Sequence, residues 1–120
     1  MPNSVSLVIV NYNAGDYLVA CISSALSQVD DLVVVDNAST DSSLAQIEAV
    51  FSGESKLRIV RNRENLGFAA ACNIGARSSA GSYLFFLNPD CVLEPDSVSY
   101  LLQALEVYPE AGMVGGLLVN

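Results

Sequence analysis

The chain has 120 residues, about one domain's worth, and 52% of them are apolar, enough for a packed core and too many for a disordered segment. Thirteen acids against five bases leave a net charge of −8, which argues against a nucleic-acid partner, because a duplex binder needs a basic face. No apolar run approaches the roughly 20 residues of a membrane span, and a strand starting by Val5 leaves no room for a signal peptide.

The distribution of charge says more than its sum. Lys56, Arg58, Arg61, Arg63 and Arg77 fall in one window, and the rest of the chain has no base. A phosphate compound bound elsewhere would need backbone amides or a bridging cation. Cys21, Cys72 and Cys91 have no C-x-x-C spacing and read as reduced thiols of a cytoplasmic protein.

In chain order, Ser4 to Asn11 is a β-branched run that ends in the turn-rich Asn11-Tyr12-Asn13-Ala14-Gly15. Asp16 to Gln28 carries Leu18, Cys21, Ile22, Ala25 and Leu26 at helical spacing. Leu32 to Asp36 is a second buried strand, and Asn37 to Asp41 offers caps for a helix with Leu44, Ile47, Val50 and Phe51. Leu57 to Val60 alternates as a third strand, Asn62 to Gly67 is a polar loop, and Phe68 to Ser79 is an alanine-rich helix.

Tyr83 to Leu87, apolar throughout, reads as a central strand buried on both faces, stopped by Asn88-Pro89. Asp90 then lies just past its carboxyl end. Pro95-Asp96 opens a helix with Val98, Leu101, Leu102 and Leu105 on one stripe, and Met113 to Val119 is a fifth strand weakened by Gly115-Gly116. Strands alternating with helices predict a single α/β domain over residues 1–120, a parallel sheet covered on both faces.

Three strand ends carry polar groups: Asn11-Tyr12-Asn13, Asp36-Asn37 and Asn88-Pro89-Asp90. If the first and fourth strands are parallel neighbours, the crevice between them is a topological switch point, where open α/β sheets bind ligands. Asp36 there is either an acceptor for a base or ribose, or a cap for the next turn. Tyr12 is either a stacking face for a nucleobase or a rim residue on the first helix. Gly67 lets backbone approach a ligand, or simply turns a loop. Asn73 is the odd residue of its helix; if buried it must be hydrogen-bonded, and pinning the adjacent loop suits it. Asp90 either holds a divalent cation on a phosphate or closes a turn.

In this order, Val8-Ile9-Val10-Asn11-Tyr12-Asn13, Val34 to Asp41, Glu64 to Ala69, Asn73-Ile74-Gly75 and Leu87-Asn88-Pro89-Asp90 resemble family 2 of the glycosyltransferases over almost the whole chain. The resemblance implies a GT-A fold, a three-layer α/β/α nucleotide-diphosphosugar-binding domain with a mainly parallel sheet. The Asn-Leu-Gly-Phe and Asn-Pro-Asp variants are most similar to the rhamnosyltransferase-type branch that builds bacterial surface polysaccharides. Carried over, it implies that Asn11, Tyr12 and Asn13 face the nucleobase and that Asp36 hydrogen-bonds a pyrimidine. Asn65 to Phe68, Gly67 included, would line the pocket with Asn73 in support. Asn88 and Asp90 stand at the family's Asp-x-Asp position, so Asp90 would ligate Mg²⁺ or Mn²⁺ on the diphosphate of a UDP- or dTDP-sugar.

Two departures accompany the resemblance. Asn88 replaces the first carboxylate of that motif. In the family the acceptor-binding half and the catalytic base come later, and no residue among these 120 matches the base. The expectation is therefore the donor-binding part of a longer cytoplasmic enzyme working at the inner face of the membrane. That part would be inactive alone, would meet its saccharide acceptor through the other half, and would be prone to self-association. A non-catalytic nucleotide-sugar-binding module stays open beside it. Other classes fit worse. A dinucleotide-binding oxidoreductase needs Gly-x-Gly-x-x-Gly after the first strand, where Asn11 to Asp16 has one glycine. A phosphoacceptor receiver domain wants an acidic pair there and a lysine after the fifth strand, and has neither.

Overall fold

The structure, a computed structural model, describes residues 4–108 together with Gly112, Met113 and Gly115. Its elements are β1 (Val5–Asn11), α1 (Tyr17–Ala25), a 3₁₀ turn (Leu26–Gln28), β2 (Asp31–Asp36), α2 (Ser43–Val50), β3 (Leu57–Arg61), α3 (Phe68–Ser78), β4 (Tyr83–Phe86) and α4 (Ser97–Val107). The strands form one parallel sheet in the order β3-β2-β1-β4. The alternation read from the sequence is the architecture observed. The predicted fifth strand, Met113 to Val119, lies outside the described residues except at Met113 and Gly115.

Two-residue periodicity decides which side chains meet which helix. Val5, Leu7 and Ile9 of β1 and Leu32 and Val34 of β2 pack with Leu18, Cys21, Ile22 and Ala25 of α1, Ile47 of α2 and Val98 of α4. Val8, Val33 and Val35 face the other way, against Ala71 and Ile74 of α3. That makes three layers, with β1 and β2 buried on both faces because each has a strand on either side.

β4 corrects one expectation. It borders β1 alone among the described strands, so it is an edge and not a central strand there. Tyr83 and Phe85 join the core under α1, whereas Leu84 and Phe86 are 45% and 47% exposed. They are in register with Ser6 and Val8, on the α3 side of the sheet, beyond the reach of that single helix. An uninterrupted apolar run reports that both faces can be covered; it does not report that both are.

Because β1 leads to β2 and β3 on one side and lies against β4 on the other, the sheet has its switch point between β1 and β4. The condition stated for a ligand crevice is met, and the carboxyl ends of these strands bring the candidate residues to one edge.

Candidate nucleotide-sugar site

The loops after β1 and β2 are held together from inside by one carboxamide. Asn11, fully buried at the end of β1, donates from Nδ2 to Asp36 Oδ1 (2.8 Å), Ser39 Oγ (3.2 Å) and Ser43 Oγ (2.9 Å). Its Oδ1 accepts from the Ala14 amide (3.3 Å). Asp36, 3% exposed, accepts in addition from the Ser39 hydroxyl (2.7 Å) and the Ser39 amide (3.0 Å). Asp36 thus closes the turn after β2, with two bonds on Oδ1 and one on Oδ2.

Asn13 repeats the pattern at the surface. Held left-handed at φ 52°, it accepts on Oδ1 from the amides of Thr40 (2.8 Å) and Asp41 (3.2 Å). Asp41 in turn accepts from the Gly15 amide (2.9 Å), and the Ser43 hydroxyl holds its carboxyl below the usual range. Tyr12, between these two asparagines, is 53% exposed at the rim.

A third segment joins through Asn37, which is 2% exposed. Its Nδ2 donates to Gly67 O (3.2 Å), and its Oδ1 accepts from Asn62 Nδ2 (2.9 Å) and the Leu66 amide (3.3 Å). Gly67 has φ 86° and precedes α3, with Asn65 Oδ1 accepting from its amide at 2.9 Å. A Cβ there would meet nothing within 4 Å, so the left-handed turn itself calls for glycine.

The Asn88–Cys91 turn is anchored to α1. The Asn88 carbonyl accepts from the Cys91 amide (3.1 Å) and from the buried Cys21 thiol (3.4 Å). Asn88 and Asp90 keep exposed side chains. Asp90 takes part in neither ion pair found among the described residues, Arg58–Asp31 and Arg61–Glu48. No group of three or more His, Cys, Asp or Glu side chains that could hold a metal occurs among them either. A single exposed carboxylate, whose Oδ1 accepts from the Cys91 thiol at 3.7 Å, fits a cation that draws its other ligands from water and phosphate. It does not fit a site preformed by protein.

Asn73 is placed differently from the rest. It is exposed on α3 and is not the buried, bonded residue considered above. Conversely, the sequence assigns Ser39 and Asp41 only to capping and gives Asn37 and Ser43 no site role, although they build the scaffold. Their density directly after a buried strand was the available signal. A hollow of about 470 Å³ lined by Ser24, Gln28, Leu93 and Asp96 contains none of the candidate residues. Its Ser24 and Gln28 already bond the backbone of Leu93, Glu94 and Val98.

This arrangement is that of a GT-A domain, the nucleotide-diphosphosugar transferase type of α/β fold. S. aureus TarS 1-349 superposes with a TM-score of 0.76 at 20% identity, over 88% of this chain and 33% of that one. The model for glycosyl transferase family 2 matches residues 6–120, and the chain belongs to that family. Among curated relatives, an uncharacterized glycosyltransferase of Haemophilus influenzae is 30% identical over 105 residues, 85% of this chain and 32% of the relative. Chondroitin synthase of Escherichia coli is 36% identical over 101 residues, 82% of this chain and 15% of the relative. The chain thus spans about a third or less of these relatives' length.

Proposed function

We propose that this chain is the donor-binding part of an inverting glycosyltransferase that uses a UDP- or dTDP-sugar, of the rhamnosyltransferase-like kind that serves surface polysaccharide synthesis. The observation that carries the proposal is the convergence of Tyr12, Asp36, the Asn65–Gly67 loop and Asp90 at the carboxyl edge of one parallel sheet, in a chain of this family. The TarS fragment has also been solved in complex with UDP-GlcNAc, which supports a nucleotide sugar as the ligand.

In this reading Tyr12 offers its face to the base, Asn11 and Asn13 hold the loop that presents it, and Asp36 accepts from the pyrimidine. Asn65 and Gly67 line the pocket. Asn88 and Asp90 face the diphosphate. A domain of charge −8 repels such a ligand, and Mg²⁺ or Mn²⁺ on Asp90 supplies the compensating positive charge. Transfer follows when a carboxylate base takes the proton of an acceptor hydroxyl, whose oxygen bonds the anomeric carbon as the bond to diphosphate breaks. In this reading the base belongs to a part of the enzyme outside the donor-binding part.

Calorimetry with UDP and dTDP tests the reading. Binding is expected with Mg²⁺ or Mn²⁺ and weaker in EDTA, and Asp90→Ala should remove that difference. The chain alone should transfer no sugar. Equal affinity with and without metal would remove Asp90 from the site, and sugar transfer by this chain would refute the missing base.

A further inference from the structure

We infer that Asn37 is a positioning residue for this pocket, the carboxamide that sets where the Asn62–Gly67 loop stands against the end of β2. The inference rests on the nucleotide-sugar reading above and extends it to a residue that touches no ligand in that reading.

Arg63 to Phe68 are all exposed, so apolar packing does little to place them. The loop starts from a backbone bond, Asn62 N to Asp36 O at 2.9 Å; beyond it, the side chain that ties this stretch to the sheet is Asn37: Nδ2 on Gly67 O, Oδ1 receiving Leu66 N and Asn62 Nδ2. Within the loop the further bond is local, from the Gly67 amide to Asn65 Oδ1. Asn37 is itself fixed from behind, its amide donating to Asn11 O at 2.9 Å. The next residue, Ala38, is left-handed at φ 61°, an unusual conformation for a residue with a Cβ. On one side of that turn the Asn37 side chain bonds the Asn62–Gly67 loop. On the other, Ser39 bonds Asp36, Asn11 and the Asn13 amide. The side chains on either side of one strained residue, Asn37 and Ser39 around Ala38, thus hold the two walls of the crevice at a set separation. A buried carboxamide with its hydrogen-bonding capacity directed at an exposed loop matters for what that loop meets, not for the core.

The test uses Asn37→Ala and Asn37→Asp. The second keeps the size and an acceptor oxygen but loses the donor to Gly67 O, and it decides the matter if the alanine variant does not fold. Asp31→Ala, at the opposite end of the sheet, is a control for general destabilisation. Two measurements are needed: amide hydrogen exchange without nucleotide, and the dissociation constant for UDP with Mg²⁺. In the Asn37 variants Leu66 and Gly67 should exchange about tenfold faster, while Leu32 to Val35 stay protected. The UDP dissociation constant should rise about tenfold, as expected for a lost set of buried hydrogen bonds. Asp31→Ala should leave it unchanged. Unaltered UDP affinity in a folded Asn37 variant, or an equal loss in Asp31→Ala, overturns the inference. Failure of the unsubstituted chain to bind either UDP or dTDP overturns the nucleotide reading itself, and the inference with it.

Discussion

Cys21 lies on the core face of α1, with its thiol on the Asn88 carbonyl. Burial, then the charges of Cys91 and Asp90, push that thiol from 9.0 up to about 12. The neutral form therefore belongs to the folded state, whereas an unfolded chain ionises the thiol at its ordinary value. The stabilisation is complete below about pH 9 and is lost as pH rises toward 12, at about 1.4 kcal/mol per pH unit for one proton. Urea midpoints at pH 8 and pH 10.5 should show this alkaline loss in the chain and a smaller one in Cys21→Ala. Parallel losses in the two proteins would mean that other groups carry the effect. Because Cys21 also anchors the Asn88–Cys91 turn, its substitution should loosen Asp90 as well.

At the scale of elements, α3 lies tight against the sheet at Gly75, which faces β1 and β2. A Cβ at Gly75 would stand 2.3 Å from Val8 Cγ1 and 3.2 Å from a Val35 methyl. Gly75→Ala must push the helix outward or force off-rotamer valines, at a cost of about 1–3 kcal/mol. Chemical denaturation measures that cost, and a neutral Gly75→Ala would show that α3 can slide freely. The start of α3 follows Gly67 directly, so the same shift should disturb the Asn62–Gly67 loop. At the amino end of the strands, Asp31 makes a comparable brace. It accepts from Ser6 Oγ (2.9 Å) and the Ala80 amide (3.4 Å) and pairs with Arg58 at 2.8 Å, joining β1, β2, β3 and the α3–β4 connection.

At the scale of the whole molecule, the net charge of −8 opposes an apolar pair, Leu84 and Phe86, which is exposed among the described residues on the outer strand β4. Apolar surface on a sheet edge favours association, and like charge resists it. Raising salt screens the repulsion and leaves the apolar term intact. Light scattering is thus expected to show self-association that increases from low to high salt, and Phe86→Lys should reduce it. A monomer at high concentration under both conditions would count against this face as a contact.

Much of this architecture is legible in the residues alone. β-branched runs such as Val33-Val34-Val35 can hardly be anything but buried strand, and stripes such as Leu18, Cys21, Ile22 and Ala25 define a helix face. Their alternation dictates parallel strands with covering helices, because crossover connections permit little else. The motif residues resemble those of a nucleotide-sugar site, and Tyr12, Gly67 and Asp90 lie in the segments that follow β1, β3 and β4. Tertiary structure decided what depends on distant neighbours. That β4 is an edge here follows from strand order, which no local pattern encodes. An alanine-rich helix has no clear apolar stripe, so nothing local showed that Asn73 would point outward. Most of all, Asn11, Asn13 and Asn37 could have served their own turns alone. Each also bonds, or bonds instead, a loop about 25 or more residues away, since the partner of a side-chain amide is set by which chain segments the sheet brings within 3 Å of it.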